Sequence, residues 1–195
     1  MILLLGAALA GLAGGIAWAA FGRRPYQLPD LRWAWLVLVA FIPQYFAFVL
    51  PATRASIPTP WIPVVLIGSQ TLLLIFSIVN IRRPGFWLLG LGLALNLLVI
   101  LLNGGMMPIS PETIQHLYPD APLGAWQIGQ RLGVGKDIVI QAAETRLWFL
   151  SDHFSLPDWV SYKVAFSLGD VLISAGAFWL LLTFGGRSIS KEIKA

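Results

Sequence analysis

Asp170 is the only formally charged side chain inside five long apolar stretches of this chain, and Ser167 and Ser174 share its helical face. In lipid a lone carboxylate is costly unless it is paired or protonated, so Asp170 is the first place to look for chemistry. Two states are open to it. It is ionised against Arg146 or a bound cation, or it is neutral in a low dielectric and donates a hydrogen bond to Asn103. Asn96 and Asn103 lie two helical turns apart, with Gly92 one turn below, and form a second polar stripe. The stripes are expected to meet about two turns below the outer end of Asp170's helix. Asp152 joins them from outside, so the candidate polar-cluster or ligand residues are Asn96, Asn103, Asp152, Ser167 and Asp170. Interhelical structure is favoured over a ligand site as their use.

The other reactive residue types form no recognised site. His116 and His153 are far apart in the chain and make no H-x-x-x-H pair, so even with Asp120 and Asp152 nearby they are read as surface histidines. Gly129 to Lys136 has one residue too many for a phosphate loop and Asp137 where Ser or Thr would hold magnesium. Ser69 lacks a G-x-S-x-G elbow, and the absence of cysteine excludes thiol chemistry. No catalytic residue, metal or cofactor is assigned.

The elements that must position these residues follow from composition. Of 195 residues, 57% are hydrophobic and 11% charged, against about 25% charged in soluble domains, which points to an integral membrane protein. Apolar runs at Ile2 to Phe21, Trp33 to Leu50, Trp61 to Val79, Phe86 to Leu102 and Val164 to Phe184 are long enough for five transmembrane helices. The expected fold is an all-α polytopic membrane protein, residues 1–195 forming one membrane domain. Arg23 and Arg24 follow the first run instead of preceding it, so it reads as an uncleaved span. With Arg32, Arg82, Arg83, Arg187, Lys191 and Lys194 they place the N-terminus outside and the C-terminus in the cytoplasm, while the short opposite loop carries only Arg54. The net charge of +4 is dispersed along these ends, a pattern of topology and not of nucleic-acid binding.

Residues 103–161 are expected to form a helical extracytoplasmic cap. Ser110-Pro111-Glu112 signals a short helix to about Tyr118. Val139, Ala143, Leu147 and Leu150 recur every three or four residues and predict an amphipathic helix over Asp137 to Leu150, lying on the bundle or the membrane surface. In the first span Ala7, Gly11, Gly15 and Ala19 make a smooth packing stripe, for the bundle's own packing in preference to an oligomer. Pro43-Gln44 predicts a kink in the second span.

The ordered stretches Asn103-Gly104-Gly105-Met106-Met107-Pro108, Leu147-Trp148-Phe149-Leu150-Ser151-Asp152 and Phe166-Ser167-Leu168-Gly169-Asp170-Val171 are similar to motifs NGGxMP, LxFLxD and SLGD of an uncharacterised family of small multi-span bacterial membrane proteins. The resemblance implies a shared fold, a shared outer polar cluster and the bacterial cytoplasmic (inner) membrane. It supplies no substrate. The functional expectation is a non-catalytic accessory or assembly subunit, with the bilayer and the subunits of a larger membrane complex as partners. The alternative is a small transporter or lipid-binding protein with an outward-facing polar pocket around Asp170 and a lipid ligand.

Overall fold

The computed structural model describes residues 2–27, 30–122, 124–157 and 159–184, which excludes the basic tail on which part of the topology argument rests. The chain is mostly helical. Helix α1 (Ile2–Phe21) is followed by α2 (Trp35–Gln44), a single π turn at Tyr45–Val49, and the short α3 (Pro51–Arg54). Then come α4 (Trp61–Val79), α5 (Phe86–Leu102), α6 (Pro111–Leu117) and α7 (Leu168–Phe184). Two of these, α1 and α4, are long and apolar enough to cross a membrane. Helices α5 and α7, and α2 with its π turn, are apolar and shorter.

The expected kink is a change of helical register. Pro43 has no N–H to give, and beyond it the chain widens into the π turn, closed by Leu50 N–H donating to the Tyr45 carbonyl at 2.9 Å. Side by side the long helices run α1, α7, α5, α4, α2. Helix α1 lies parallel to α7 because both approach through backbone. A Cβ on Gly11 would sit 2.6 Å from the Phe178 carbonyl oxygen, and one on Gly15 2.6 Å from that of Leu181. Gly11 and Gly15 of the small-residue stripe thus face α7 within the chain, and of the stripe's other members Ala19 is buried and Ala7 half-buried.

One end of the bundle, the base, is closed by Leu36, Phe76, Phe86, Leu180 and Phe184, with Phe76 and Phe86 edge to face at 5.3 Å. The other end carries the cap. There Gly104 and Gly105 both take positive φ (80° and 88°), which turns the chain sharply after α5. Met106 to Ile109 then run back inward fully buried, and Gly105 lies too close to Pro63 to carry a side chain.

The cap is not the helical segment expected. Strand β1 (Met107–Ile109) pairs in parallel with β2 (Asp137–Val139), and β3 (Phe154–Ser155) pairs antiparallel with β4 (Ala165–Phe166). The short helix at Ser110 forms as anticipated: the Ser110 hydroxyl accepts from Thr113 N–H at 3.2 Å and Pro111 starts α6. The amphipathic helix over Asp137 to Leu150 does not form. Its first three residues are β2, the middle is turns, and Leu147 adopts φ 56° before a single 3-10 turn at Trp148–Leu150. The long-range partner Met107–Ile109 outweighs the local helical spacing, since Val139 is buried against Ile109 and Ile114.

Candidate functional site at the cap end of the bundle

Ser167 ends strand-like backbone and opens α7. Its hydroxyl accepts from Asp170 N–H at 3.1 Å, while its own N–H donates to Asp170 Oδ2 at 3.3 Å, a reciprocal capping box. This corrects the depth expected for Asp170. The carboxylate sits in the first turn of α7, where acid complements the helix dipole, and not two turns inside. Its other oxygen, Oδ1, accepts from Asn96 Nδ2 at 2.9 Å, and Asn96 Oδ1 accepts from the Ser167 hydroxyl at 2.8 Å. Asn96 and Ser167 are buried and Asp170 is half-buried. Gly169 makes the contact feasible, because a Cβ there would collide with the Asn96 side chain.

The expected partnership of Asp170 with Asn103 or Arg146 is absent; Asn96 holds Asp170 instead. Asn103 caps α5, its Nδ2 donating to the Val99 carbonyl at 2.8 Å. The same amide reads the backbone of Arg146, accepting from its N–H at 2.9 Å and donating to its carbonyl at 3.0 Å, while the Arg146 side chain is exposed. Asn103 thereby fixes the start of the turn that ends in Asp152. Ser174 is buried with its hydroxyl unpartnered among the described residues.

Asp152 is 1% exposed and receives Lys136 Nζ on Oδ2 at 2.5 Å; its Oδ1 is buried without a partner among the described residues. Asp137 stands on the other side of the ammonium at 3.5 Å. Backbone bonds seat both partners on the buried return strand: Asp152 N–H donates to the Pro108 carbonyl and Met107 N–H to that of Lys136, each at 3.2 Å. Burial works against the Lys136 charge, but the carboxylates of Asp152, Asp137 and Asp170 outweigh it and raise its pKa above the ordinary value. Burial pushes the Asp152 carboxyl up to about 8; Lys136 pulls the other way, and Asp137 and Asp170 add to the rise. One cation paired with two carboxylates, with the Asp170 charge acting from beyond ion-pair distance, is a cluster able to take up a proton.

The structure thus joins Asn96, Ser167 and Asp170 by direct bonds, sets Asn103 on the adjoining turn, and places Asp152 in a cluster with Lys136 that feels the Asp170 charge. His153 lies between the rings of Trp148 and Phe154, and His116 is in the last turn of α6. Among the described residues no group of three His, Asp or Glu is placed to hold a metal. The Gly129 to Lys136 stretch is a hairpin, with Gly129 and Val139 N–H bonding across it at 2.8 and 2.9 Å.

Two residues have roles that their sequence context does not announce. Lys136 stands out in the sequence only as the end of the Gly129 to Lys136 stretch. Asn80 ends α4 as Asn103 ends α5: it donates to the Phe76 carbonyl and grips the Arg32 backbone through two bonds of 2.9 Å. The available signal was the shared pattern of an asparagine directly after an apolar run.

Residues 29–182 match the model of a family described as a family of unknown function (DUF5317), and the chain belongs to that family. All three motif stretches fall within the match, whereas α1 precedes it. Neither the curated proteins nor the solved structures contain a match.

Proposed function

From membership of a family with no assigned activity, we propose that the chain is a non-catalytic, multi-pass protein of the bacterial cytoplasmic membrane that serves as an accessory or assembly subunit of a larger membrane complex. The observation that carries this reading is the use made of the polar side chains of the motifs and of Asn96. Asn96, Ser167 and Asp170 bond one another, Asn103 grips a cap turn, and Asp152 takes Lys136. These groups join α5 to α7, the end of α5 to a cap turn, and two cap segments to each other, which is a structural use. Both Asp170 oxygens accept protein hydrogen bonds, which argues against an open pocket there for a transported solute.

The membrane placement is supported by the outer faces of the helices. Leu5, Leu38 and Val64 are 59%, 63% and 57% exposed, and each has apolar neighbours on its face, a surface suited to hydrocarbon and not to water. Helices α5 and α7, of 17 residues each, reach about 25 Å, enough to cross with modest thinning or with their flanking residues. Helices α1, α2, α4, α5 and α7 alternate in direction between base and cap. With the arginine pairs at the base, this favours five spans with the N-terminus and cap outside.

The test is gentle solubilisation from native membranes followed by mass spectrometry of proteins and lipids together. Stoichiometric recovery of a second membrane protein is the expected result. A chain that elutes alone with a defined small solute would overturn the accessory reading in favour of transport.

A further inference from the structure

Away from the motif cluster, α3 and the cap hairpin leave an open cleft of about 500 Å3 whose lining includes Arg54, Thr59, Gln130, Arg131 and Gly133. Among the described residues no acidic side chain lines it, and its two charged groups are both guanidinium ions. Its size is ordinary for a small-ligand site.

The two arginines differ in a way that suits binding. Arg131 is pre-set: Nε donates to the Gly135 carbonyl at 2.6 Å, Nη2 to that of Val134 at 2.5 Å, and the guanidinium lies 5.8 Å from the Phe48 ring centroid. These bonds use two of five N–H donors and fix the plane of the remainder. Burial lowers the Arg131 pKa, with Asp137 opposing, so the cation gains from an anionic neighbour while staying charged at neutral pH. Arg54 closes α3, and among the described residues its guanidinium makes no hydrogen bond or ion pair. One fixed and one free guanidinium lining the same concave space suit a tetrahedral oxyanion, which accepts several N–H bonds at once.

We propose that this cleft between Arg54 and Arg131 binds a phosphate group, either that of a phospholipid headgroup or a free phosphate. The lipid source rests on the membrane reading above. In that reading α3 joins two spans at the outer surface, with exposed Tyr45 and Trp61 at headgroup level beside it. The phosphate chemistry itself does not depend on the membrane reading.

The full chain, purified in a neutral detergent, is titrated with dihexanoyl phosphatidylglycerol, with dihexanoylglycerol, which lacks the phosphate, and with inorganic phosphate, following the melting temperature and native mass spectra. Phosphatidylglycerol should bind and raise the melting temperature, and dihexanoylglycerol should not. Arg54→Gln should weaken binding about tenfold or more, whereas Arg82→Gln, which removes a like charge at the other end of α4, should leave it unchanged. Inorganic phosphate binding as well as the lipid identifies a free phosphate as the ligand. Arg131→Gln is the second variant, and since Arg54 lies outside the hairpin, Arg54→Gln decides even where Arg131→Gln fails to fold. No binding of either phosphate probe, or binding equal in native and Arg54→Gln protein, overturns the site. Recovery of the chain from carbonate-washed membranes tests the membrane reading separately.

Discussion

At the scale of single residues, Asp170 separates a structural acid from a dispensable one. Its two oxygens satisfy the Asn96 amide and the Ser167 N–H, so Asp170→Asn keeps one acceptor and turns an amide donor toward a donor. Asp170→Leu orphans both partners, each at a cost of about 1–3 kcal/mol. Melting temperatures in detergent should fall in the order native, Asn, Leu, and a Leu variant equal to native would remove Asp170 from the architecture. Asp152 makes a prediction with a sign. Its carboxyl is raised from an ordinary 3.8 to about 8, so between those values the folded chain holds more protons than the unfolded one. The contribution of Asp152 to stability is therefore fully present below about 3.8 and is lost as pH rises through about 8, by at most about 1.4 kcal/mol per pH unit for one whole proton. The raised Lys136 acts in the same direction only above its ordinary 10.5. Urea midpoints between pH 4 and 8 should fall in the native protein and stay flat in Asp152→Asn.

At the scale of elements, the α1 and α7 contact depends on missing side chains. A leucine at Gly15 would drive its Cβ into the Leu181 carbonyl and the Tyr26 ring, at 2.6 and 2.8 Å, whereas a Cβ at Gly6 meets nothing within 4 Å. Gly15→Leu should cost about 1–3 kcal/mol or more, and Gly6→Leu should be near neutral, as read from thermal unfolding in detergent. Equal effects would mean that α1 is not seated on α7 through this stripe. The same contrast explains what could be read in advance. Each of the five long apolar runs contains a helix, and the stripe Gly11, Gly15, Ala19 falls on a buried face, because apolar length and small-residue spacing are local properties. The cap resisted. The spacing of Val139, Ala143 and Leu147 fits a helix, but β2 is determined by a partner some thirty residues earlier, and Leu147 takes a left-handed turn that nothing local announces. The place of Asp170 is legible locally: Ser167-x-x-Asp170 is a capping-box spacing that puts the acid in a first turn.

At the scale of the whole molecule, the cap and the base differ in charge as well as in structure. Arg82 and Arg83 turn the chain at the base, while the cap segment carries six acids, Glu112, Asp120, Asp137, Glu144, Asp152 and Asp158, against the bases Arg131, Lys136 and Arg146. Under the positive-inside rule the arginines at the base are what favours the proposed orientation, with the base in the cytoplasm. In that proposed orientation the cap meets the periplasmic or extracellular face, with Asn103 tying the end of α5 to a cap turn while Asn96 joins α5 to α7 and Asp152 joins two cap segments. The chain has no cysteine, so single introduced thiols report position without background. Gln130 lies exposed on the cap hairpin and Arg82 is exposed at the base turn. In intact cells a membrane-impermeant maleimide should label Gln130→Cys and spare Arg82→Cys, and both should react after the membrane is opened with detergent. The reverse pattern would invert the molecule and move the Arg54 and Arg131 cleft to the cytoplasmic leaflet. Labelling of both in intact cells would mean that no bilayer separates the two ends, and the five-span arrangement would fall with it.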